Sequence, residues 1–497
     1  MPQQRLRVLF MASEVAPFAK TGGLAEVAAA LPRALRALGH DVRLLMPKYR
    51  GVEAHCGELR VVIPQVRVPL GDRMAEGALW EGRAPSGLPI YFLAHDHYYD
   101  RDGLYGTNDG DYWDNCERFI FFCRGGLEAL GTLGRDTAQG WRPQLIHAND
   151  WQTGLVPVYL RTLYHDHPGL GRAATLFTIH NLAYQGVFWH YDMPMTGLGW
   201  DLFTPAGIEF YGKINFLKGG LVFADLLTTV SRTYAHEIRT AELGDGLEGV
   251  LEERSQDLRG VVNGIDYGVW NPETDAALAR RYSVSALEGR AACRAALCRE
   301  LGLDATPELL LGMVTRLTGQ KGLDLTLEAL PELLAAGASL VLLGSGAPHL
   351  EEAFTEAAAQ HPGRVAVRIG YDDDLARRIY AGVDCFLMPS RYEPCGLGQL
   401  IALRYGAVPI VRRTGGLADT VRAFDTARRA GTGFLFDGFS AEDLVDAVRR
   451  AVAVHRDQGL WSGLVRHAMA EDFSWDASAR EYVMLYRRAL RARNPRA

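Results

Sequence analysis

Short apolar runs alternate with longer stretches of helical periodicity along this chain. Leu6–Met11 is an apolar run of strand length. Leu24, Val27, Ala28, Leu31, Leu35 and Leu38 then recur on one stripe and predict a helix over 24–38. Gly39 suits the position just past a helix, and 41–46 reads as the next strand. The cycle continues with strands at 144–147, 174–179, 226–230 and 258–262, and with helices at 115–130 and 231–240. Over 60–93, Val and Ile alternate among Pro and Gly, which predicts short antiparallel strands. A second cycle begins near residue 305. Its strands are 309–314, 339–343, 365–369, 385–388 and 408–411, and its helices 324–336, 349–360, 374–381 and 396–405. Strands alternating with helices imply parallel sheets covered on both faces. Two cycles imply an α/β protein of two doubly wound domains, with the boundary between Asn263 and about Pro307 and the charged, Ala-rich 280–299 stretch helical.

Length supports two cores, because 497 residues exceed the roughly 250–300 at which one core stops growing. With 53 Lys and Arg against 59 Asp and Glu, the net charge of −6 lacks the footprint of a nucleic-acid binder. The apolar run Val8–Ala12 is too short for a secretory signal, and no run of about 18 apolar residues exists to cross a membrane. Seven scattered cysteines without a Cys-x-x-Cys pair argue against a disulfide framework and a zinc site, and fit the reduced cytoplasm.

Six polar clusters fall just after predicted strands, the edge where doubly wound sheets bind ligands. Lys20-Thr21-Gly22-Gly23-Leu24 places glycines and a cation at a helix start, which suits a phosphate or merely a tight turn. Asn149-Asp150-Trp151 pairs a carboxylate with an indole, as a sugar site would, although Asp150 could equally cap a helix near Thr153. His180-Asn181 follows the strand 174–179; a lone histidine there is more often a satisfied one under a loop. Arg316 and Lys321 lie five positions apart in a loop ending in glycine and could clamp a diphosphate or face solvent. Glu393 precedes Pro394 at an expected helix start, followed by Cys395, Gly396 and Leu397. Arg412-Arg413-Thr414-Gly415-Gly416-Leu417 echoes the first cluster, so each sheet is expected to offer amides to an anion. Phosphate-type and sugar-type groups on the same edges point to a nucleotide-sugar enzyme.

The ordered motifs K-T-G-G-L, H-N-L-A-Y-Q-G, V-V-N-G-I-D, R-L-T-G-Q-K-G-L-D, E-P-C-G-L and R-R-T-G-G-L-A-D-T-V closely resemble those of bacterial glycogen synthases and plant starch synthases. The resemblance runs from Val8 to Trp475 and implies a GT-B fold of two Rossmann-like domains with an interdomain cleft. The implied division is 1–263 (acceptor side), 264–475 (donor side) and a terminal helix within 476–497, near Ala477–Arg491, returning to the first domain. It implies glucosyl transfer from ADP-glucose to an α-1,4-glucan (glycogen) with retention, without a cofactor, catalytic metal, membrane or nucleic-acid partner. By the same resemblance Arg316 and Lys321 neutralise the leaving diphosphate, Glu393 lies beside the glucose, and Gly396 and Leu397 offer amides to the distal phosphate. Lys20 contacts the donor. His180, Asp150 and Asn263 surround sugar and acceptor, Tyr371 stacks on the base, and Tyr112 lies near the glucose. Gly22, Gly23, Cys395, Thr414 and Gly415 belong to the same substrate-binding set. Three positions depart from the family pattern: Glu26 stands for a common Asp, Gly398 for a common Thr, and Ile401 where many retaining GT-B enzymes carry a second glutamate.

Overall fold

In the first strand, β1 (Arg7–Met11), Val8, Leu9, Phe10 and Met11 are all buried, as a strand covered on both faces requires. The computed structural model describes residues 4–107, 110–133, 141–304 and 307–494. Residue 305, where the second cycle was expected to begin, and residues 495–497 of the terminal segment lie outside these. The chain divides into two compact units. One holds the chain up to Val230, then Ala235–Val261 and the segment from Trp475 onward; the other holds Ser231–Tyr234 and Val262–Ser474.

The first unit is built on nine strands. After β1 come β2 (Asp41–Pro47), β3 (Arg60–Leu70), β4 (Arg73–Arg83), β5 (Pro89–Ala94), β6 (Leu145–Asn149), β7 (Ala174–Ile179), β8 (Leu226–Thr229) and β9 (Leu258–Gly260). Their order is β9-β8-β7-β6-β1-β2-β5-β4-β3. All pairings from β9 to β5 are parallel; β4 pairs antiparallel with β5 and with β3. The expected short strands over 60–93 are therefore two eleven-residue strands and a third, β5, that joins the parallel sheet. The apparent shortness came from Pro64, which lacks an N–H and coincides with register shifts around Ile63.

The second unit has β10 (Leu309–Val314), β11 (Ala338–Gly344), β12 (Val365–Ile369), β13 (Cys385–Met388), β14 (Val408–Arg412) and β15 (Phe434–Phe436). They are all parallel, in the order β12-β11-β10-β13-β14-β15. Two expected helices start later than expected. The helix expected over 280–299 runs Glu288–Leu301, because Ser283 and Ser285 close a local turn in which Ser283 and Ala286 exchange backbone hydrogen bonds. The helix expected from Gly396 begins at Gly398, since Gly396 is left-handed at φ 72°; Pro394 belongs to the preceding turn.

In the parallel part of each sheet the strand order reverses once, between β1 and β6 and between β10 and β13. Loops leaving adjacent strands at such a point diverge to opposite faces and open a crevice at the carboxyl edge.

Candidate active site

In the first unit, the loops after β1, β6 and β7 carry the expected residues. Asp150 follows β6 with φ 55° and ψ −179°, a backbone region that essentially only glycine adopts without strain. Its side chain does not cap the following helical turn; one carboxylate oxygen accepts the His180 backbone N–H at 2.7 Å. Burial pushes the Asp150 carboxyl up to about 7, with the nearby Glu14 charge adding to the effect. His180 Nε2 lies 2.9 Å from Asn149 Oδ1. The Asn149 amide is oriented by its Nδ2, which donates to the Met11 and His147 carbonyls. Oδ1 therefore faces the ring, and Nε2 must carry the proton and donate. Burial lowers the imidazole to about 3, so His180 is neutral near pH 7 with its lone pair on Nδ1. Gly186, at φ 62°, closes this loop against Trp151: a Cβ there would lie 2.3 Å from the indole.

The Lys20–Gly23 loop is pinned from behind. The buried Glu14 carboxylate accepts Thr21 N–H and Oγ1–H at 2.6 Å each and Gly22 N–H at 3.2 Å, and Tyr105 donates its hydroxyl at 2.8 Å. The amides of Thr21 and Gly22, expected to be open to an anion, are thus occupied by the chain's own carboxylate. Gly23 opens the helix Gly23–Ala37. Lys20 pairs with Glu26 at 2.7 Å, both side chains more than two-fifths exposed. Glu14 and Tyr105 drew no role from the sequence; a carboxylate directly after an apolar strand was the available signal. Tyr105 packs its ring 6.3 Å from Trp151, so the loops after β1 and β6 form one site. Tyr112 stands one step back. Its N–H donates to the Tyr105 carbonyl, its hydroxyl accepts the Gly103 N–H, and its ring carries the Arg101 and Arg118 guanidinia at 4.7 and 5.0 Å.

In the second unit, the loops after β10, β13 and β14 converge. Lys321 donates to Glu393 Oε2 at 2.5 Å, and Ser390 donates to the same oxygen at 3.1 Å. Glu393 is buried and Lys321 largely so, while Arg316 is exposed. Gly322, left-handed at φ 67°, lets this loop touch the one after β13, because a Cβ would meet the Pro389 carbonyl oxygen at 2.1 Å. The glycines after β14 serve the same kind of approach. A Cβ on Gly415 would lie 1.9 Å from the Glu393 carbonyl oxygen, and one on Gly416 would lie 2.0 Å from that of Cys395. Gly416 N–H donates to the Glu393 carbonyl at 3.0 Å, so this amide too is occupied by the chain. Thr414, also buried, accepts the Leu417 and Ala418 amides on its carbonyl.

Asn263 hydrogen-bonds the Cys395 thiol, which burial pushes up to about 12. Asn263 Oδ1 and Thr318 Oγ1 are buried without a partner among the described residues. Gly396 and Leu397 lead into the helix Gly398–Tyr405, whose N-terminus has no side-chain cap. A Cβ on Gly398 would come within 3.0 Å of Phe386, which accounts for a residue without a side chain at this departure from the family pattern. Tyr371, just after β12, is 74% exposed and ties its hydroxyl to Asp373 at 2.6 Å. Among the described residues, no three His, Cys, Asp or Glu side chains gather where they could hold a metal ion, and no helix is long and apolar enough to cross a membrane.

Residues 7–253 match the starch synthase catalytic domain, and residues 299–457 match the glycosyl transferases group 1. A glycogen synthase of Syntrophotalea carbinolica is 52% identical, over 98% of this chain and 99% of its own. One of Koribacter versatilis is 47% identical, over 99% of each. The catalytic domain of Arabidopsis thaliana starch synthase IV, solved with ADP and acarbose, superposes with a TM-score of 0.89 at 36% identity, over 98% of this chain and all of that one. A sucrose-phosphate synthase from Thermosynechococcus elongatus shares the fold, with a TM-score of 0.61 at 18% identity over 98% of this chain and all of that one. Two parallel-sheet units, sites at both switch points and full-length identity near one half lead to one conclusion: this chain belongs to the glycogen and starch synthase family and is a glycosyltransferase of GT-B fold.

Proposed function

We propose that the chain transfers glucose from ADP-glucose to the non-reducing end of an α-1,4-glucan, with retention of configuration, releasing ADP. The observation that carries this reading is the Lys321–Glu393–Ser390 cluster at the second switch point, beside the uncapped helix at Gly398. Cation, carboxylate and helix-start amides at one edge suit a diphosphate joined to a sugar. In this reading Lys321 and Arg316 take up the charge of the leaving diphosphate, and Gly396 and Leu397 offer amides to its distal phosphate. Glu393 accepts glucose hydroxyls, and Tyr371 presents an open ring to the base. Asn263, Cys395, Thr414 and Gly415 shape the same pocket wall. The first unit supplies the acceptor side through Asp150 and His180, with Gly22, Gly23 and Tyr112 behind them. Lys20 exchanges Glu26 for donor phosphate, an inexpensive exchange because an exposed pair is worth about 0–1 kcal/mol.

ADP-glucose and the glucan product are both α-linked, so configuration is retained. A double displacement would need a carboxylate on the far face of C1. The group matched to that face, His180, is a neutral imidazole and not a carboxylate. We therefore assign front-face transfer, in which the acceptor hydroxyl attacks on the side from which ADP departs and a phosphate oxygen takes its proton. No metal is assigned a role, and a cytoplasmic setting fits the seven unpaired, buried cysteines.

The test is a donor panel at fixed glycogen, following release of nucleoside diphosphate with and without EDTA. ADP-glucose should give the highest kcat/KM, and EDTA should leave the rate unchanged. A preference for UDP-glucose, a β-linked product, or a trapped glucosyl–carboxylate adduct would each refute the corresponding part.

A further inference from the structure

Gln399 lies in the first turn of the helix Gly398–Tyr405 and is fully buried. Its Nε2 donates to the Cys395 carbonyl at 2.9 Å, to the Gly396 carbonyl at 3.0 Å and to the Thr420 hydroxyl at 3.2 Å. These partners fix the orientation of the amide, because the flipped form would set Oε1 against two carbonyl oxygens. Oε1 is left buried without a partner among the described residues. A buried amide with an unpaired acceptor costs stability that an apolar side chain of the same size would not. The donors of Gln399, and not its bulk, are what this position uses. The fit also depends on Gly396, where a Cβ would come within 2.3 Å of Oε1.

The two carbonyls held by Gln399 are consecutive. In a planar trans peptide the carbonyl of one residue and the N–H of the next point in opposite directions. Holding the Cys395 carbonyl aims the Gly396 N–H away from Gln399, and holding the Gly396 carbonyl does the same for the Leu397 N–H. Gly396 is left-handed at φ 72°, and Leu397 is right-handed at φ −109° and ψ −27°. Such a pairing turns successive amides toward one concavity suited to an anion. The hydrogen bonds continue beyond Gln399. The Thr420 hydroxyl, buried as well, donates to the Gly416 carbonyl at 2.6 Å, and the Gly416 N–H holds the Glu393 carbonyl. Gln399 thus ties the turn after β13 to both ends of the helix Gly415–Thr420.

We propose that Gln399 is a positioning residue for diphosphate recognition: without touching the ligand, it aims the Gly396 and Leu397 amides at the distal phosphate. The inference rests on the proposed role of those two amides. It gives Gln399 a part in telling a nucleoside diphosphate from a monophosphate, since a monophosphate has no group to reach them.

Two variants test it. Gln399→Met keeps the length of the side chain and removes the donors. Thr420→Val removes the hydroxyl that Gln399 holds and leaves Gln399 in place. Each is titrated calorimetrically with ADP and with AMP beside the unaltered protein. The expected result is ADP affinity about tenfold weaker in Gln399→Met and about threefold weaker in Thr420→Val, with AMP affinity unchanged in both. Equal losses for ADP and AMP would make Gln399 a packing residue and overturn the proposal, as would unchanged ADP affinity in both variants. Should Gln399→Met fail to fold, Thr420→Val decides the case by the same comparison. If the unaltered protein itself binds AMP as tightly as ADP, the amide reading falls and Gln399 with it. If it prefers ADP and the variants keep that preference, only Gln399 loses its role.

Discussion

Lys321 and Glu393 meet at 2.5 Å with little of either side chain in water. This pairing holds the ammonium in place before any ligand arrives, so the cation need not be ordered during the reaction. Negative charge on the diphosphate grows as the glycosidic bond breaks, and Lys321 and Arg316 act most strongly in the transition state. Lys321→Ala or Arg316→Ala should lower kcat by about 10²–10³, or roughly 3–4 kcal/mol. An unchanged kcat with only a raised KM would remove them from the catalytic role. Asp150 gives a pH test. Its carboxyl titrates at about 7, and its ionised form is the better acceptor for a sugar hydroxyl. Activity should therefore rise with pH through about 7, and Asp150→Asn should abolish that step. Its stability effect has a definite sign. The unfolded chain releases this proton near the ordinary carboxylate value and the folded chain only near 7, so the folded state loses stability as pH rises across that window. Melting curves of Asp150→Asn against the unaltered protein should diverge between pH 4 and 7, the variant being the more stable above 7. His180, already neutral from about pH 3 upward, should add no step of its own. The residue types were legible because Lys, Glu, Asp and His followed apolar strands in the sequence. Their pairings were not, because Lys321 to Glu393 and His180 to Asn149 are contacts across distant loops that no local pattern encodes.

At the scale of elements, the two Gly-Gly-Leu segments show how a sequence signal can be right in place and different in cause. Both were expected to open amides to an anion. In each, an amide is instead hydrogen-bonded by the chain itself, Gly22 to the Glu14 carboxylate and Gly416 to the Glu393 carbonyl. The glycines after β14 are needed because the loop after β13 lies against them, with no room for a Cβ. Gly416→Ala should therefore displace the Glu393–Cys395 turn, lowering kcat/KM for the donor by tenfold or more and the melting temperature with it. A variant that melts early without a specific kinetic defect would place the glycine in general packing. Periodicity located the buried parallel strands to within a residue or two, because complete burial demands continuous apolar runs. It overlooked β15 and the helices Ala441–Arg456 and Gln458–Met469. Their starts were legible in Ser440 and Asp457, which cap the first turns with their side chains. It also could not foresee the length of β3 and β4, since Pro64 reads locally as a break although the ladder resumes beyond it.

At the scale of the whole molecule, the chain does not finish where its second unit does. The helix Trp475–Arg493, some two hundred residues beyond the end of the first unit's own sequence at Val261, belongs to that unit. Trp475, Tyr482, Val483, Leu485 and Tyr486 are buried, the helix packing on Gly23–Ala37 and β7. Tyr486 also satisfies a histidine that has no access to water: its hydroxyl lies 2.8 Å from His147 Nδ1, while Thr178 lies 2.6 Å from Nε2. Burying side chains of this size contributes about 1.5–3 kcal/mol each, so these five amount to on the order of 10 kcal/mol. That equals the whole stability of a typical domain, about 5–15 kcal/mol. A chain ended after Ser474 should therefore lose the fold of its first unit, the end of the chain farthest in sequence from the cut, while the second retains its own core. Limited proteolysis should cleave first within residues 4–261 and spare 262–474. The milder change Tyr486→Phe keeps the packing but leaves His147 Nδ1 buried without a partner, which costs about 1–3 kcal/mol. It should lower the denaturation midpoint without changing its steepness. If the truncated chain keeps a protease-resistant first unit, the helix is an accessory and not a member of that core.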